Sequence, residues 1–247
     1  MPPSPVRFMI ACAARTGSTM LVRTLRSHPD AIVHGEVWGD TMVGLDGPLA
    51  AECDHDPRRR AALEDARFRD PAVAMDRFLA PHGARAVGFK LKFDELVRPQ
   101  WAEVAALVEA DPGMHMVFLH RRDLLRRYLS HQVVLRQTGV TVVAAGEAPP
   151  AVQPFAVDID DLLRDIDQTR ERTRRFEAAF AAHPCLHVEY ESLSADPQGE
   201  CARVYRFLGL EPVAVHVATE KIVRQPPEAL VLNHADVQAA MRGADLA

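Results

Sequence analysis

The sequence Cys12-Ala13-Ala14-Arg15-Thr16-Gly17-Ser18-Thr19-Met20 lies between the first hydrophobic run and the first helix-like segment. The run before it, residues 6–11, is short, apolar and bounded by small residues, which predicts a buried strand. A strand that turns through small residues into a helix leaves backbone N–H groups at the helix start without intrahelical partners, with the positive end of the helix dipole behind them. The stretch therefore predicts a site for an anion with several oxygen atoms.

The side chains of this loop narrow the kind of anion. Gly17 permits the tight turn, and Ser18 and Thr19 add hydroxyl donors. Arg15 adds a permanent cation at the rim. A Walker loop ends in Gly-Lys-Ser/Thr, which holds the β- and γ-phosphates and magnesium, whereas Ser18 stands here in place of the lysine. The loop therefore argues against ordinary ATP or GTP chemistry.

Composition sets the broad class. The 247 residues are 48% hydrophobic and 26% charged, which is typical of one large globular domain, so we expect a single domain over residues 1–247. A net charge of −5 excludes a chain built as a whole to attract nucleic acid or an anionic membrane. The four cysteines lie far apart, which disfavours a zinc site and a disulfide framework and favours a reducing cytoplasm. No stretch approaches the ~20 apolar residues of a membrane span.

Four further apolar runs alternate with helical patterns. These predicted strands lie at residues 31–34, 86–93, 114–120 and 186–190. The alternation predicts an α/β fold with a P-loop-type parallel sheet of about five strands and helices on both faces. Residues 44–57, rich in Gly, Pro and Asp, predict a surface loop, and residues 58–79 predict two exposed helices. Residues 159–180 predict one long amphipathic helix.

Charged side chains follow or end these strands, where functional groups gather in an open α/β sheet. Glu36 follows the second strand. Lys90 and Lys92 point the same way on the third strand, and two like charges there are costly unless an anion lies between them, which favours a ligand site. Arg121 and Arg122 lie at the start of a predicted helix, where a bound phosphate would reverse their unfavourable interaction with the helix dipole.

In their order and spacing these motifs resemble the sulfotransferase family, most closely its bacterial members, which include carbohydrate sulfotransferases. The matching motifs are the loop at residues 15–19, Arg122-Asp123 with Ser130 at the family's spacing, and Glu189-Tyr190-Glu191-Ser192-Leu193 before a helix that ends Phe207-Leu208-Gly209-Leu210. The likeness spans most of the chain and fades over residues 37–84 and 140–156, within the variable segments 37–84 and 138–157. We expect these two variable segments to shape the acceptor site.

The resemblance implies a donor and a reaction. In this family a sulfuryl group passes from 3′-phosphoadenosine 5′-phosphosulfate (PAPS) to an acceptor hydroxyl or amine, and 3′-phosphoadenosine 5′-phosphate (PAP) remains. It implies that the donor's 5′-phosphosulfate is surrounded by Arg15, Thr16, Gly17, Ser18 and Thr19. No metal is required, because cationic side chains replace magnesium.

The same resemblance assigns the other phosphate of the donor. It implies that Arg122 and Ser130 hold the 3′-phosphate, with Arg121 as the alternative to Arg122. A dianionic phosphate beside an arginine at a helix start also accounts for the positive charge there. Lys221 and Arg224, a basic pair three residues apart near the end of the chain, are further candidates for binding the donor.

The catalytic base departs from one common family pattern. Many members that act on small phenols and alcohols carry Lys-Thr-His at the end of the third strand, with the histidine as base. In this chain the corresponding stretch runs from Lys90 to Lys92 and ends in a lysine instead of a histidine. Bacterial carbohydrate-type members are similar to this chain in having a carboxylate after the second strand. The resemblance therefore implies Glu36 as general base, with His34 as the alternative, while Arg15 and one of the two lysines stabilise the leaving oxygen.

The acceptor and the partners are less specified. We expect a carbohydrate hydroxyl, or otherwise a lipid or small molecule, with Trp38 placed to stack on a sugar ring. A homodimer is the default assembly. Two alternatives remain open: a metal-dependent P-loop kinase of a small molecule, which needs Mg²⁺ and a loop lysine, and a non-catalytic sulfotransferase-like protein that binds a nucleotide.

Overall fold

The computed structural model describes residues 4–244. By their contacts these residues form two compact units. The first unit contains residues 4–122 together with Arg175–Val217, and the second contains Asp123–Arg174 together with residues 218–244. No helix among residues 4–244 is both long enough and apolar enough to cross a membrane.

Seven strands occur in the described part of the chain. They are β1 (Val6–Cys12), β2 (Ala31–Glu36), β3 (Ala86–Lys92), β4 (His115–His120), β5 (Val143–Ala144), β6 (Cys185–Glu189) and β7 (Thr219–Glu220). The first unit contains a five-stranded parallel sheet in the order β2-β3-β1-β4-β6. The predicted α/β fold with a parallel sheet of about five strands is confirmed, and each strand lies within about a residue or two of its predicted bounds.

The helices are α1 (Ser18–Leu25), α2 (Gly47–His55), α3 (Pro57–Arg69), α4 (Pro71–Phe78), α5 (Phe93–Leu96), α6 (Ala102–Glu109), α7 (Leu124–Val133), α8 (Ile159–Ala179), α9 (Tyr190–Ala195), α10 (Pro197–Phe207), α11 (Pro227–Leu230) and α12 (His234–Gly243). The longer helices follow the sequence patterns, except for α2, and the short helices α5, α9 and α11 were not predicted. A 3₁₀ turn covers Pro99–Trp101, and a π-helical turn covers Val134–Thr138.

The prediction of a surface loop at residues 44–57 is wrong, because most of these residues form α2. Pro48 lies in the first turn, where a proline does not interrupt the helix, and Leu49 and Cys53, one turn apart, are both buried. The pair of helices predicted at residues 58–79 is confirmed as α3 and α4. These helices are not simply exposed, since each buries one side in the core.

Helices cover both faces of the sheet in the first unit. Met9 and Ala11 point to the face covered by α3, α4 and α6, which we name the α6 face. Phe8, Ile10 and Cys12 point to the face covered by α1 and α10, which we name the α1 face. Strands that are buried on both faces have an unbroken apolar run, which is why the sequence of β1 reads as it does.

The second unit has its own core and a small two-stranded sheet. Strands β5 and β7 pair antiparallel, with Val143 opposite Glu220. Tyr128 of α7 donates its hydroxyl hydrogen to Asp161 of α8 at 2.8 Å, and Asn233 bonds both the N–H and the carbonyl oxygen of Val157. The weakly patterned segment 138–157 therefore contains ordered structure.

Candidate active site

The loop between β1 and α1 is built around two residues in left-handed backbone conformations. Gly17 has φ +83°, and Arg15, which is not glycine, has φ +65°. A Cβ atom on Gly17 would lie 2.3 Å from Cδ2 of Tyr190, far closer than two carbons can approach. Glycine is thus required at this position both by the backbone and by the packed ring of Tyr190.

Side chains from the ends of β4 and β6 hold this loop. The guanidinium of Arg121 lies 4.6 Å from the ring centroid of Tyr190, and its Nη1 donates to the carbonyl oxygen of Arg15 at 3.0 Å. Burial, together with the charge of Arg121, lowers the pKa of Arg15. Two arginines, Arg15 and Arg121, therefore belong to or contact this loop.

The hydroxyl side chains of the loop divide into two roles. Thr16 is buried and donates its hydroxyl hydrogen to the carbonyl oxygen of Ala13 at 2.9 Å, which closes the turn. Ser18 and Thr19 open α1, and the hydroxyl oxygen of Thr19 accepts a hydrogen bond from Nζ of Lys90 at 3.2 Å. The predicted loop residues and one predicted lysine are therefore joined in the structure.

Glu36 reaches this cluster because β2 contains a bulge. The pairing of β2 with β3 shifts between His34, opposite Phe89, and Glu36, opposite Lys90, so that Gly35 is an extra residue. Residues two apart on a regular strand share a face, whereas the bulge turns Glu36 toward Lys90 and leaves His34 with Phe89. The backbone of Gly35 also bonds away from the sheet, its N–H donating to the carbonyl oxygen of Gly44 at 2.6 Å.

Glu36 forms ion pairs with both predicted lysines. Its Oε1 lies 2.7 Å from Nζ of Lys90, and its Oε2 lies 2.8 Å from Nζ of Lys92. Burial alone would raise the pKa of Glu36, but the two ammonium groups outweigh it and lower the pKa to about 2. The prediction that the lysines point the same way is confirmed, and the anion between them in this structure is the protein's own carboxylate.

A second carboxylate, which the sequence did not reveal, completes the network. Glu95 of α5 is buried, its Oε1 lies 3.1 Å from Nζ of Lys92, and its Oε2 accepts the N–H of Lys92 at 3.0 Å. Burial raises the pKa of Glu95, while Glu95 and Glu36 together outweigh burial and raise the pKa of Lys92. The feature of the sequence that could have revealed Glu95 is a capping box at the start of α5, which is hard to recognise because a lysine stands at the cap position.

Two residues proposed near the base have other roles. His34 is 1% exposed, its Nδ1 accepts the backbone N–H of Asp46 at 3.0 Å, and burial lowers its pKa to about 4. The expectation that Trp38 stacks on a sugar is wrong, because Trp38 is fully buried in the core of the α6 face. Its ring packs edge-on against Phe78 and Trp101, with centroids 5.3 and 5.5 Å away.

The residues predicted for the 3′-phosphate differ in their surroundings. Arg122, in the first unit, is 65% exposed and pairs with Glu189 at 3.2 Å and Glu191 at 3.9 Å. It precedes α7 rather than opening it, because Asp123 caps that helix by accepting the N–H of Arg126. Arg122 therefore lies immediately before the cap residue of α7.

The remaining candidates lie in the second unit. Ser130 is buried on α7. Lys221 is exposed, and exposed Arg224 pairs with Glu220 at 3.0 Å. These positions stay sequence-based predictions for donor binding.

Comparison with known proteins identifies the family. A sequence model of the sulfotransferase family matches residues 7–214. Nodulation protein H of Rhizobium tropici is 27% identical over 215 residues, covering 84% of this chain and 77% of that protein. The solved sulfotransferase from Alicyclobacillus acidocaldarius shares the fold, with a TM-score of 0.53 at 17% identity over 98% of this chain and 96% of the other. The sulfotransferase domain of the Synechococcus PCC 7002 olefin synthase gives 0.51 at 16%, over 98% and 95%.

The extent of the family match decides between the open alternatives. It is continuous from β1 to beyond α10 and includes the β1–α1 loop, Glu36, both lysines and Arg122. A small-molecule kinase would instead require the loop lysine that Ser18 replaces. The chain belongs to the sulfotransferase family and is a sulfotransferase.

Proposed function

We propose that this sulfotransferase moves the sulfuryl group of PAPS to an acceptor hydroxyl, with Glu36 as general base. The observation that carries the proposal is the cluster in which Glu36 contacts Lys90, and Lys90 contacts Thr19 at the start of α1. This cluster joins a carboxylate, a buried ammonium group and an anion-binding loop at the carboxyl edge of one parallel sheet.

The donor's phosphosulfate fits the β1–α1 loop by charge. The start of α1 supplies backbone N–H groups, and Arg15 supplies a guanidinium for the oxygens. Lys90, 3% exposed and in contact with Thr19, is the lysine we assign to the bridging oxygen between sulfur and the 5′-phosphate. Lys92 lies farther along β3, where it pairs with Glu95 and stabilises the network of ion pairs without contacting the bridging oxygen.

Donor binding changes what Glu36 can do. A carboxylate with a pKa of about 2 is a weak base, and the two lysines cause that low value. The oxygens of a phosphosulfate compete for the same ammonium groups. When Lys90 turns to the donor, the charge that lowers the pKa of Glu36 most is withdrawn, so the donor itself prepares the base.

The transfer then balances as a single displacement. The acceptor oxygen attacks sulfur in line with the bond to the bridging oxygen, that bond breaks, and its electron pair stays on the 5′-phosphate. Glu36 takes the proton of the acceptor hydroxyl, while Lys90 and Arg15 stabilise the charge on the leaving oxygen. Positioning and electrostatic stabilisation supply most of the rate enhancement.

For the 3′-phosphate the surroundings support Arg122 over Arg121. Arg121 already holds the carbonyl oxygen of Arg15 and stacks on Tyr190. Arg122 is 65% exposed, and the carboxylates in its ion pairs are themselves partly exposed. A dianion can therefore replace these carboxylates. We propose a carbohydrate hydroxyl as the acceptor, with residues 37–84 and 138–157 setting specificity.

The test uses purified protein with PAPS labelled at sulfur and a panel of sugars, phenols, lipids and amines. We expect label to move to a sugar acceptor and PAP to be released. Glu36→Gln should lower turnover by ~10²-fold or more, the usual scale for a general base, and retain PAP binding. Glu109→Gln, an exposed change at the end of α6, is the matched control.

Two results would overturn the proposal. Near-normal turnover in Glu36→Gln would remove Glu36 as the base. Absence of PAP binding by the wild-type protein, measured by calorimetry, would remove PAPS as the donor.

A further inference from the structure

Three potential metal ligands meet in the first unit, away from the network around Glu36. They are His120 at the end of β4, Glu177 near the end of α8, and His187 on β6. Nε2 of His120 lies 3.1 Å from Nδ1 of His187, and Oε1 of Glu177 lies 3.3 Å from the first of these nitrogens and 3.4 Å from the second. A hydrogen bond between the two rings accounts for the two nitrogens, but the carboxylate oxygen lies close to both of them as well, so three possible ligand atoms meet at one point.

The cluster lies on the other face of the sheet from Glu36. His120 shares the α6 face with Phe118, two residues earlier on β4, and the ring of His187 stacks on Phe118 at a centroid distance of 5.3 Å. Lys90 contacts Thr19 of α1, so the lysine and its partner Glu36 belong to the α1 face. The two clusters are therefore separate sites.

The spacing of the three atoms fits a zinc ion. Zinc takes nitrogen and carboxylate ligands at about 2.0–2.2 Å in a tetrahedron, which places neighbouring ligand atoms about 3.3–3.5 Å apart. The three distances here, 3.1, 3.3 and 3.4 Å, lie at or just below that separation. Two imidazole nitrogens also favour zinc over calcium or magnesium, which prefer oxygen ligands.

The ligands are carried by packed elements and are open to solvent. Phe176, next to Glu177, stacks on Phe93 with centroids 5.1 Å apart and planes 10° apart, which fixes the end of α8. The side chains of His120, Glu177 and His187 are 23%, 33% and 54% exposed, so an ion can enter and a water can take the fourth position. We propose that these three side chains bind a zinc ion, with water as the fourth ligand.

The three ligands lie next to the residues that hold the β1–α1 loop, so a bound ion would stabilise that part of the structure. His120 is followed directly by Arg121, and β6 is followed directly by Tyr190, the two residues that hold the β1–α1 loop. An ion bound by His120 and His187 ties the ends of β4 and β6 to each other. Zinc should therefore raise the melting temperature of the whole protein by mass action.

The experiment uses the full chain after treatment with EDTA. Calorimetric titration with ZnCl₂ should show one ion bound per chain, and CoCl₂ should give the visible absorption of a tetrahedral site. His120→Ala and His187→Ala should each weaken zinc binding by more than about 100-fold, because loss of an outer-shell partner alone costs about 10–100-fold. His216→Ala, an exposed histidine of the same unit, should change the affinity less than about twofold.

A loss of zinc binding can be distinguished from a folding defect, and it can be measured independently of the proposed sulfuryl transfer. Circular dichroism without metal checks each variant, and Glu177→Gln, which keeps the size of the side chain, replaces any alanine variant that does not fold. Zinc affinity that is the same in the wild type and in the variants that fold would overturn the proposal, as would a wild-type protein that binds no zinc. Sulfuryl transfer is not part of the readout.

Discussion

The ion pairs of Glu36 predict a measurable pH dependence of stability. The pKa of Glu36 falls from 4.5 to about 2 on folding, and its side chain is only 26% exposed, so solvent screens it little. At 1.36 kcal/mol per pKa unit, the folded state gains about 3 kcal/mol from this group at neutral pH. Because the folded pKa is the lower one, this gain is complete above the unfolded pKa and is lost as the pH falls toward about 2.

The assay compares urea unfolding of wild type and Glu36→Gln between about pH 7 and pH 3.5. At pH 7 the variant should be less stable by about 3 kcal/mol, because two ammonium groups lose their shared partner. About 1 kcal/mol of the difference should already be lost at pH 4, where an unfolded glutamate is mostly protonated. The gap between the two proteins should therefore narrow as the pH falls.

The control is Glu109→Gln, an exposed carboxylate of α6, whose stability should follow that of the wild type at every pH. A difference between wild type and Glu36→Gln that stays constant from pH 7 to pH 3.5 would refute the low pKa. A variant as stable as the wild type at pH 7 would refute the ion pairs themselves.

Three other changes test the donor site and its support. Gly17→Ala forces a side chain into a left-handed conformation and against Tyr190, so calorimetry should show PAP binding weakened about tenfold or more; unchanged affinity would place the donor elsewhere. Arg122→Ala should weaken binding of PAPS at least about tenfold more than binding of adenosine 5′-phosphosulfate, and equal losses would rule out a contact with the 3′-phosphate. Glu95→Gln should lower the pKa of Lys92 in an NMR titration and reduce turnover by about tenfold; an unchanged lysine pKa would contradict the contact.

The strands and the loop were predictable because their signals are local. A strand buried on both faces is a short unbroken apolar run, and each run here corresponds to one parallel strand. Parallel neighbouring strands bring their carboxyl ends to one edge of the sheet, which is why Glu36 could be expected near the β1–α1 loop.

The sequence is least informative where distant residues decide the outcome. Trp38 looks available next to Glu36, but Phe78 and Trp101, far along the chain, enclose it. The choice between His34 and Glu36 depends on the bulge at Gly35, which has no local signature beyond a glycine in a strand. The cluster of His120, Glu177 and His187 joins three elements, so no spacing rule could reveal it.

The alternation of side chains along a strand explains how one sheet edge supports two separate clusters. On β4, His120 faces the ligand cluster of the α6 face, while the next residue, Arg121, crosses to the β1–α1 loop. On the neighbouring strand, His187 of β6 faces the same ligand cluster, and Tyr190, the first residue of α9, packs against the loop. A change that moves the end of either strand therefore reaches the loop through a single peptide unit. Because β4 and β6 pair directly, fixing one of these ends also fixes the other.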